Sequence, residues 1–267
     1  MPSGRRSRER RHVPAQPRAP RRPGARSASP RVLALAGAVA AAAVAAVALA
    51  VVLTGRSSTP PDVPAVGSLA NALPGAAEVA ALLDGIPQDG TTLGRASAPV
   101  TMVEYVDVQC PYCGEFERQV LPGVVRQYVR TGKVRIVLRT WAFIGPDSFR
   151  GQAAVHAAAR QDHAFDVLEL LYANQGAENT GWLSDDLLVN VASSVPGLRV
   201  PDLLADRESA AVKAQGEDVD RIARENGITS TPTIVVGKTG TAGKPVDLQG
   251  PTDGKTLARA IERALSA

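Results

Sequence analysis

The chain has 267 residues, of which 45% are apolar, so one sizeable domain with a packed core is expected. Its formal net charge of +4 is unevenly distributed, because ten of the 30 basic residues and one of the 26 acidic residues lie in residues 1–31. The remaining chain is therefore acidic overall. A nucleic-acid-binding surface is not expected on it, because no basic stripe with interleaved aromatic residues follows the arginine-rich tail.

Residues 1–31 are rich in Arg, Pro and Ser and have little to bury, so they are predicted to form a disordered tail. The segment 32–53 has 22 residues without a charged or polar side chain, eleven of them alanine. As a helix it would be about 33 Å long, which is enough to cross a bilayer. Arginines before this segment predict a cytoplasmic N-terminus and an extracytoplasmic domain, on a single-pass membrane anchor.

A cleaved secretory signal is the alternative interpretation of this segment. The apolar part of such a signal is usually about 7–15 residues long and ends at a site of small residues. Here Val51, Val52 and Leu53 continue the apolar run beyond Ala48 and Ala50, which favours a retained anchor. The high alanine content makes the segment less hydrophobic, so cleavage stays an open alternative. Under both interpretations the domain lies outside the cytoplasm, where disulfides persist.

Beyond the anchor, a linker is predicted over 54–90, with a short helix at 76–84, and the pattern then alternates between strands and helices. Strands are predicted at 100–108, 133–140, 233–236 and 245–249, and helices at 115–130, 149–174, 183–193, 203–226 and 253–264. The middle helices form an insertion at about 147–226. This order predicts an α/β domain over 91–267, with a mixed central sheet flanked by helices.

The chain has two cysteines, Cys110 and Cys113, separated by Pro111 and Tyr112. Two cysteines cannot build a disulfide framework or complete a four-ligand zinc site, so their role must be local. They follow a predicted strand and open a predicted helix, whose free N–H groups favour the thiolate of Cys110. Cys113, one turn later, can close a disulfide with Cys110 or attack a mixed disulfide formed there.

Glu104 is a further candidate because it alternates with Met102 and Val106 on the inward face of the predicted strand. A buried carboxylate is costly unless it has a role. The competing interpretation is a glutamate that reaches solvent or pairs with a basic residue. His156 and His163, on the helical insertion, are interpreted as surface or packing residues.

Two segments of the sequence are similar to a known family. The run from Gly94 through Ala98-Pro99-Val100-Thr101, Glu104 and Asp107 to Cys110-Pro-Tyr-Cys113 is the first, and Gly227-Ile-Thr-Ser-Thr-Pro-Thr233 is the second. Together with the helical insertion between them, they resemble the DsbA-like branch of the thioredoxin superfamily over about residues 85–267. The resemblance implies a thioredoxin-like fold and a thiol:disulfide oxidoreductase, with Cys110 as its nucleophile and Cys113 as its second catalytic cysteine.

The same resemblance implies roles for the residues around the cysteines. Thr231 and Pro232 would form the cis-proline loop that faces the cysteines and pairs with an extended substrate. Glu104 would be the buried acid that exchanges a proton with Cys113.

Pro111 and Tyr112 are, by resemblance, the dipeptide that tunes the reduction potential. The usual DsbA pair has His at the position of Tyr112, so the resemblance leaves open how strongly oxidising the Cys110–Cys113 disulfide is.

The function predicted on this basis is the introduction of disulfides into exported proteins. By resemblance, a membrane quinone-linked partner of the DsbB or vitamin K epoxide reductase type would reoxidise the enzyme, and neither a metal nor another cofactor is expected. The protein is expected to be a monomer held to the bilayer through residues 32–53. One alternative is an isomerase or reductase, since Thr231 before Pro232 is similar to the isomerase branch. The other is a non-catalytic thioredoxin-like module that binds a soft metal or a partner.

Overall fold

The computed structural model describes residues 63–267. The predicted tail and the predicted anchor at 32–53 lie outside the described residues. Within 63–267, no helix combines the length and the apolar composition that crossing a membrane requires.

The described chain alternates between short strands and helices. Its strands are β1 (Gln88–Asp89), β2 (Thr92–Leu93), β3 (Val100–Val106), β4 (Val134–Thr140), β5 (Thr233–Lys238) and β6 (Lys244–Pro245). Its helices are α1 (Ala76–Leu83), α2 (Pro111–Gln119), α3 (Leu121–Val124), α4 (Pro146–Ala159), α5 (Ala164–Ala173), α6 (Asp185–Ser193), α7 (Val200–Asp206), α8 (Ala210–Glu225) and α9 (Gly254–Ser266). A π-helical segment, Val125–Val129, continues α3.

The six strands form one mixed sheet in the order β1-β2-β4-β3-β5-β6. Strand β3 is central: Met102 lies opposite Ile136 of the parallel strand β4 and opposite Val236 of the antiparallel strand β5. The connection from β3 to β4 runs through α2 and α3, as a parallel pair requires. The mixed sheet flanked by helices, predicted from the order of elements, is therefore confirmed.

Alternate residues of β3 point to two different cores. Met102 and Val106 belong to the main core, with Phe116 of α2 and Leu257 of α9. Tyr105 points to the opposite face and packs in a smaller cluster with residues at the C-terminal end of α8 and beyond it, such as Ala223 and Ile228. Because Glu104 shares the parity of Met102, it points into the main core.

Helices α4 to α8 lie between β4 and β5 in the chain, where the helical insertion is predicted. The single helix predicted over 149–174 is two helices, because the chain turns at Asp162 with a φ of 60° before α5 begins. The helix predicted over 203–226 is also divided. Ser209 caps the second part, α8, since its side chain accepts a hydrogen bond from the N–H of Val212 at 3.2 Å.

Other boundaries differ from the prediction for local reasons. The helix predicted over 115–130 begins at Pro111 and changes after Gln119 into α3 and the π-helical segment, next to Pro122. The strand predicted over 245–249 is reduced to β6. The hairpin of β1 and β2 was not predicted, because two-residue strands have no periodicity to recognise.

Part of the predicted linker is packed onto the insertion. The N–H of Gly67 donates to Leu198 O and the N–H of Ser68 donates to Ser193 O, each at 2.8 Å. A Cβ at Gly67 would lie 2.2 Å from the carbonyl oxygen of Val195, so only glycine allows this approach. Small residues, which suggested a flexible linker, are here what lets two backbones come close.

Candidate active site

Cys110 lies at the junction of β3 and α2, directly before the first helical residue. It is the N-cap of α2, and its Sγ accepts a hydrogen bond from the N–H of Cys113 at 3.4 Å. Pro111 follows at the first helical position, where the N–H it lacks would have no partner within the helix. The local sequence thus places the sulfur of Cys110 at the positive end of the helix.

The two cysteines are free thiols with opposite acidities. A hydrogen bond from the Cys113 thiol, with weaker ones from the Thr231 side chain and backbone N–H groups, lowers the pKa of Cys110 to about 6, against the opposing effect of burial. Burial raises the pKa of Cys113 well above the ordinary thiol value, and its hydrogen bond to Cys110 raises it further. Cys110 is therefore the thiolate at neutral pH, and Cys113 keeps its proton.

The loop containing Thr231 and Pro232 lies against the cysteines, although 121 residues separate Thr231 from Cys110. The Thr231–Pro232 peptide bond is cis. The Cys110 thiol donates to the carbonyl oxygen of Thr231 at 3.5 Å. Once Cys110 loses its proton this carbonyl is free to accept a hydrogen bond from another chain, which is the role that the resemblance implies for the loop.

Asp107 fixes the turn that precedes the cysteines. Its Oδ1 accepts from the N–H of Gln109 at 2.9 Å and from the Ser148 hydroxyl at 2.7 Å. Its Oδ2 accepts from the N–H groups of Phe143 and Ile144, at 3.0 and 3.2 Å. One carboxylate therefore ties the end of β3 to the segment after β4 and to the start of α4.

Side chains from and just after α5 satisfy the carbonyl groups of the same turn. The Tyr172 hydroxyl donates to Asp107 O at 2.9 Å. Gln175 donates through Nε2 to Val108 O at 2.9 Å and to Cys110 O at 3.0 Å. Because the carbonyls of Asp107, Val108 and Cys110 all have donors, the backbone that carries the sulfur of Cys110 is held in place.

Glu104, on the face of β3 that points into the main core, is 0% exposed. Neither of its carboxylate oxygens has a hydrogen-bond partner within the described residues, so it neither reaches solvent nor pairs with a base there. Burial, together with the charge of Glu117, raises the pKa of Glu104 well above its ordinary value. A protonated carboxyl can give up a proton, and the resemblance implies that Glu104 exchanges one with Cys113.

Tyr112, the other residue of the tuning dipeptide, is 61% exposed beside Cys110. It therefore faces whatever approaches the site. His156 is buried among the helices, as a packing residue would be, while His163 is partly exposed. In residues 63–267, no group of three or more His, Cys, Asp or Glu side chains is arranged to hold a metal ion.

Sequence reasoning missed several residues that surround the site. Gln175 and Tyr172 belong to the insertion, and nothing in the sequence indicates which backbone carbonyl they reach. Two further acids, Glu117 of α2 and Glu169 of α5, are also buried. A signal existed for Glu117, because it lies four residues after Cys113 and so on the same helical face.

The difference between the two sulfurs predicts how the reduced protein reacts with iodoacetamide. Alkylation should be restricted to Cys110, and its rate should rise with pH to a plateau with a midpoint near pH 6, because the thiolate is the reactive form. Mass spectrometry locates the label, and absorbance at 240 nm follows the thiolate independently. A midpoint above pH 8, or equal labelling of Cys113, would contradict this assignment of the two sulfurs.

Comparisons with known proteins agree with this geometry. The family model described as Thioredoxin matches residues 88–262, a range that contains both cysteines and the Thr231–Pro232 loop. A probable disulfide bond formation protein D from Bacillus cereus is 32% identical over 149 residues, which cover 54% of this chain and 68% of that protein. The chain thus shares its sequence family with a protein named for disulfide bond formation.

Solved structures show the same fold. The crystal structure of oxidised BdbD from Bacillus subtilis matches with a TM-score of 0.60 and 24% identity, over 68% of this chain and 98% of that one. Wolbachia pipientis alpha-DsbA1 matches with a TM-score of 0.56 and 19% identity, over 69% of this chain and 92% of that one. The chain therefore belongs to the DsbA-like branch of the thioredoxin superfamily and is a thiol:disulfide oxidoreductase.

Proposed function

We propose that this protein is an extracytoplasmic oxidase that introduces disulfides into exported proteins through Cys110 and Cys113. A substrate thiolate attacks Sγ of Cys110 in the disulfide form of the enzyme, and Cys113 is the leaving group. A second substrate thiolate then attacks the substrate sulfur of the mixed disulfide, so that the substrate is oxidised and both enzyme cysteines are reduced. Cys110 leaves as the thiolate in this second step, and two electrons have passed from the substrate thiols to the enzyme disulfide.

The observation that carries the proposal is the position of Cys110 Sγ, which caps α2, accepts a hydrogen bond from the N–H of Cys113 at 3.4 Å and lies against the Thr231–Pro232 loop. The same contacts lower the pKa of Cys110 to about 6, which means that they stabilise its thiolate. Because the thiolate exists only in the reduced enzyme, the equilibrium favours donation of the disulfide. The Thr231–Pro232 loop also favours donation of the disulfide, because the Thr231 side chain is one of the groups that stabilise the Cys110 thiolate.

The cellular location is part of the proposal. Residues 32–53 would be the membrane anchor, with residues 1–31 in the cytoplasm and the domain outside. The reduced enzyme would then be reoxidised by a membrane quinone-linked protein of the DsbB or vitamin K epoxide reductase type. We propose that it acts as a monomer, with Pro111 and Tyr112 tuning its potential.

The catalytic roles can be tested by trapping. In the full chain, Cys113→Ser should accumulate mixed disulfides between Cys110 and exported proteins, because Cys110 can still exchange with an oxidised substrate, whereas the Cys113 thiol that would reverse this step by attacking Cys110 is absent. Non-reducing electrophoresis followed by mass spectrometry identifies the captured proteins. The control is Cys110→Ser, which should capture none. Absence of complexes in Cys113→Ser, with a stoichiometric metal in the wild-type protein, would favour the metal-binding module instead.

The direction of exchange can be tested by equilibration with glutathione. The potential should lie far above the roughly −270 mV of thioredoxin and towards the roughly −120 mV of DsbA. A value near that of thioredoxin would indicate a reductase. Refolding of scrambled ribonuclease faster than oxidation of reduced ribonuclease would indicate an isomerase.

The anchor can be tested by cell fractionation. The full chain should sediment with membranes through alkaline carbonate washing, and protease added outside intact spheroplasts should digest the domain. A chain starting at residue 54, exported behind a cleavable signal, should be released into the soluble fraction. Release of the full chain in a form lacking residues 1–53 would instead indicate a cleaved signal.

A further inference from the structure

Basic and acidic side chains occupy different parts of the described domain. The helical insertion, residues 146–225, carries 14 acidic and seven basic residues. Every ion pair found in the described residues lies within it. Three other segments, 94–101, 130–135 and 236–245, contain six basic residues and no acidic one. Neither the fold nor the exchange at the cysteines explains this separation of charge.

The sheet brings these three segments together at one end. Val100, the first residue of β3, lies opposite Val134 of β4 on one side and Lys238 of β5 on the other. Lys133 precedes Val134, and its carbonyl accepts from the N–H of Val100 at 3.3 Å. The start of β3 thus has Lys133 on one side and Lys238 on the other, and both lysines are exposed.

Two arginines extend this group of cations. The side chain of Arg95 passes over Gly132, since a Cβ at Gly132 would lie 3.1 Å from Cδ of Arg95. Nε of Arg135 donates to the Thr101 hydroxyl at 3.0 Å. The four cations at this end of the sheet form no ion pair with an acidic side chain of residues 63–267. Together they are called the basic pole: Arg95, Lys133, Arg135 and Lys238.

This distribution of charge gives the domain a direction. In the insertion, acidic residues outnumber basic ones by two to one, 14 to seven, whereas the segments that form the basic pole carry positive charge alone. An anionic surface repels the insertion and attracts the basic pole. Such a surface therefore binds the domain in one preferred orientation.

Cys110 lies at the opposite end of the sheet from the basic pole. It follows the last residue of β3, while the basic pole surrounds the first. In the same way β5 begins at Thr233, next to the Thr231–Pro232 loop, and ends at Lys238. A strand rises about 3.3 Å per residue, so β3 separates the two ends by about 20 Å. A surface bound to the basic pole therefore leaves Cys110 and the loop facing away from it.

The proposed membrane anchor supplies a surface of this kind. The apolar segment ends at residue 53 and the described domain begins at 63, so nine residues join them. Nine residues span at most about 32 Å. With the anchor in the bilayer, the domain is confined to its neighbourhood, where a weak attraction between the basic pole and anionic headgroups is effective.

We propose that the basic pole binds the anionic phospholipid headgroups of the bilayer that holds the anchor, and that this contact turns Cys110 towards exported substrates. The proposal rests on the proposed anchor. The contact is an attraction between cations and lipid phosphates, which salt screens. Reoxidation by the proposed membrane partner then requires the domain to leave the headgroups and rotate about the nine residues that join it to the anchor.

The test uses the full chain in lipid nanodiscs made of phosphatidylcholine, with or without phosphatidylglycerol. A neutral acetylating reagent labels exposed lysines, and mass spectrometry follows each site. Lys133 and Lys238 should be labelled about fivefold more slowly, or slower still, when phosphatidylglycerol is present. Lys213, an exposed lysine of α8, should be labelled at the same rate in both lipids. High salt should abolish the protection of Lys133 and Lys238.

Charge reversal tests whether the protection is electrostatic, with Lys133 kept as the reporter. Lys238→Glu should raise the labelling rate of Lys133 in phosphatidylglycerol nanodiscs, and combination with Arg95→Glu should bring it to the rate in phosphatidylcholine. Both side chains are exposed, so the variants should be folded by circular dichroism. The control is Lys213→Glu, the same change at an exposed lysine of the insertion, which should keep the full protection.

Alkylation of Cys110 reports the orientation of the domain. Its rate should be the same in both lipids, because docking turns the thiol away from the bilayer. Slower alkylation with phosphatidylglycerol would overturn the orientation. Equal labelling of Lys133 in the two lipids, or protection that survives both charge reversals, would overturn the docking.

Oxidation of reduced ribonuclease by the same nanodiscs tests the proposed function separately. The charge-reversal variants should oxidise ribonuclease as wild type does, because the basic pole is remote from the cysteines. A folded wild-type protein that oxidises none would overturn the proposed function and leave the labelling result standing. A full chain that does not enter nanodiscs would overturn the anchor, and the docking with it.

Discussion

The turn from β3 into α2 is the constraint on which the rest of the site depends. A chain that leaves a central strand and enters a helix has carbonyl and N–H groups that neither element satisfies, and here they are buried. Asp107 accepts four donors on one side of this turn, while Tyr172 and Gln175 donate to its carbonyls on the other. The helical insertion is thus part of the active site in an energetic sense, because without it the backbone that presents Cys110 would lose its partners.

The buried acids differ from this turn, because their burial costs stability and most of their carboxylate oxygens have no hydrogen-bond partner within the described residues. Glu104, Glu117 and Glu169 lie where apolar side chains would pack with a larger gain in free energy. Burial raises the pKa of the Cys113 thiol as it raises the pKa values of these acids, so this interior favours the neutral, protonated forms. The enzyme therefore combines a rigid turn, which fixes the nucleophile Cys110, with an interior in which the second sulfur keeps its proton.

Much of the fold and the centre of the site could be predicted from the sequence. The cysteines, the start of α2 and the mixed sheet depend on local spacing and periodicity, and the Thr231–Pro232 loop was identified through resemblance. Residues that act across the α2–α5 interface could not be predicted, because the packing of two helices determines which faces meet. A glutamate such as Glu169, in a mostly apolar helix, suggests an exposed edge, whereas the structure buries it. The packed segment around Gly67 was missed for a similar reason, since small residues suit both flexible chain and close backbone contact.

The sheet ends on both sides in strands of only two residues, β1 and β6. Long unpaired edges recruit extended chains and lead to aggregation, and Lys244 and Pro245 of β6 are residue types that discourage such pairing. Under the proposed function, the substrates are unfolded exported proteins whose own strands still lack partners. Short edges leave such a chain little backbone to pair with at the margins of the sheet. The proposed oxidase would thus favour pairing at the cis-proline loop over pairing at the sheet margins, which would limit its co-precipitation with unfolded substrates.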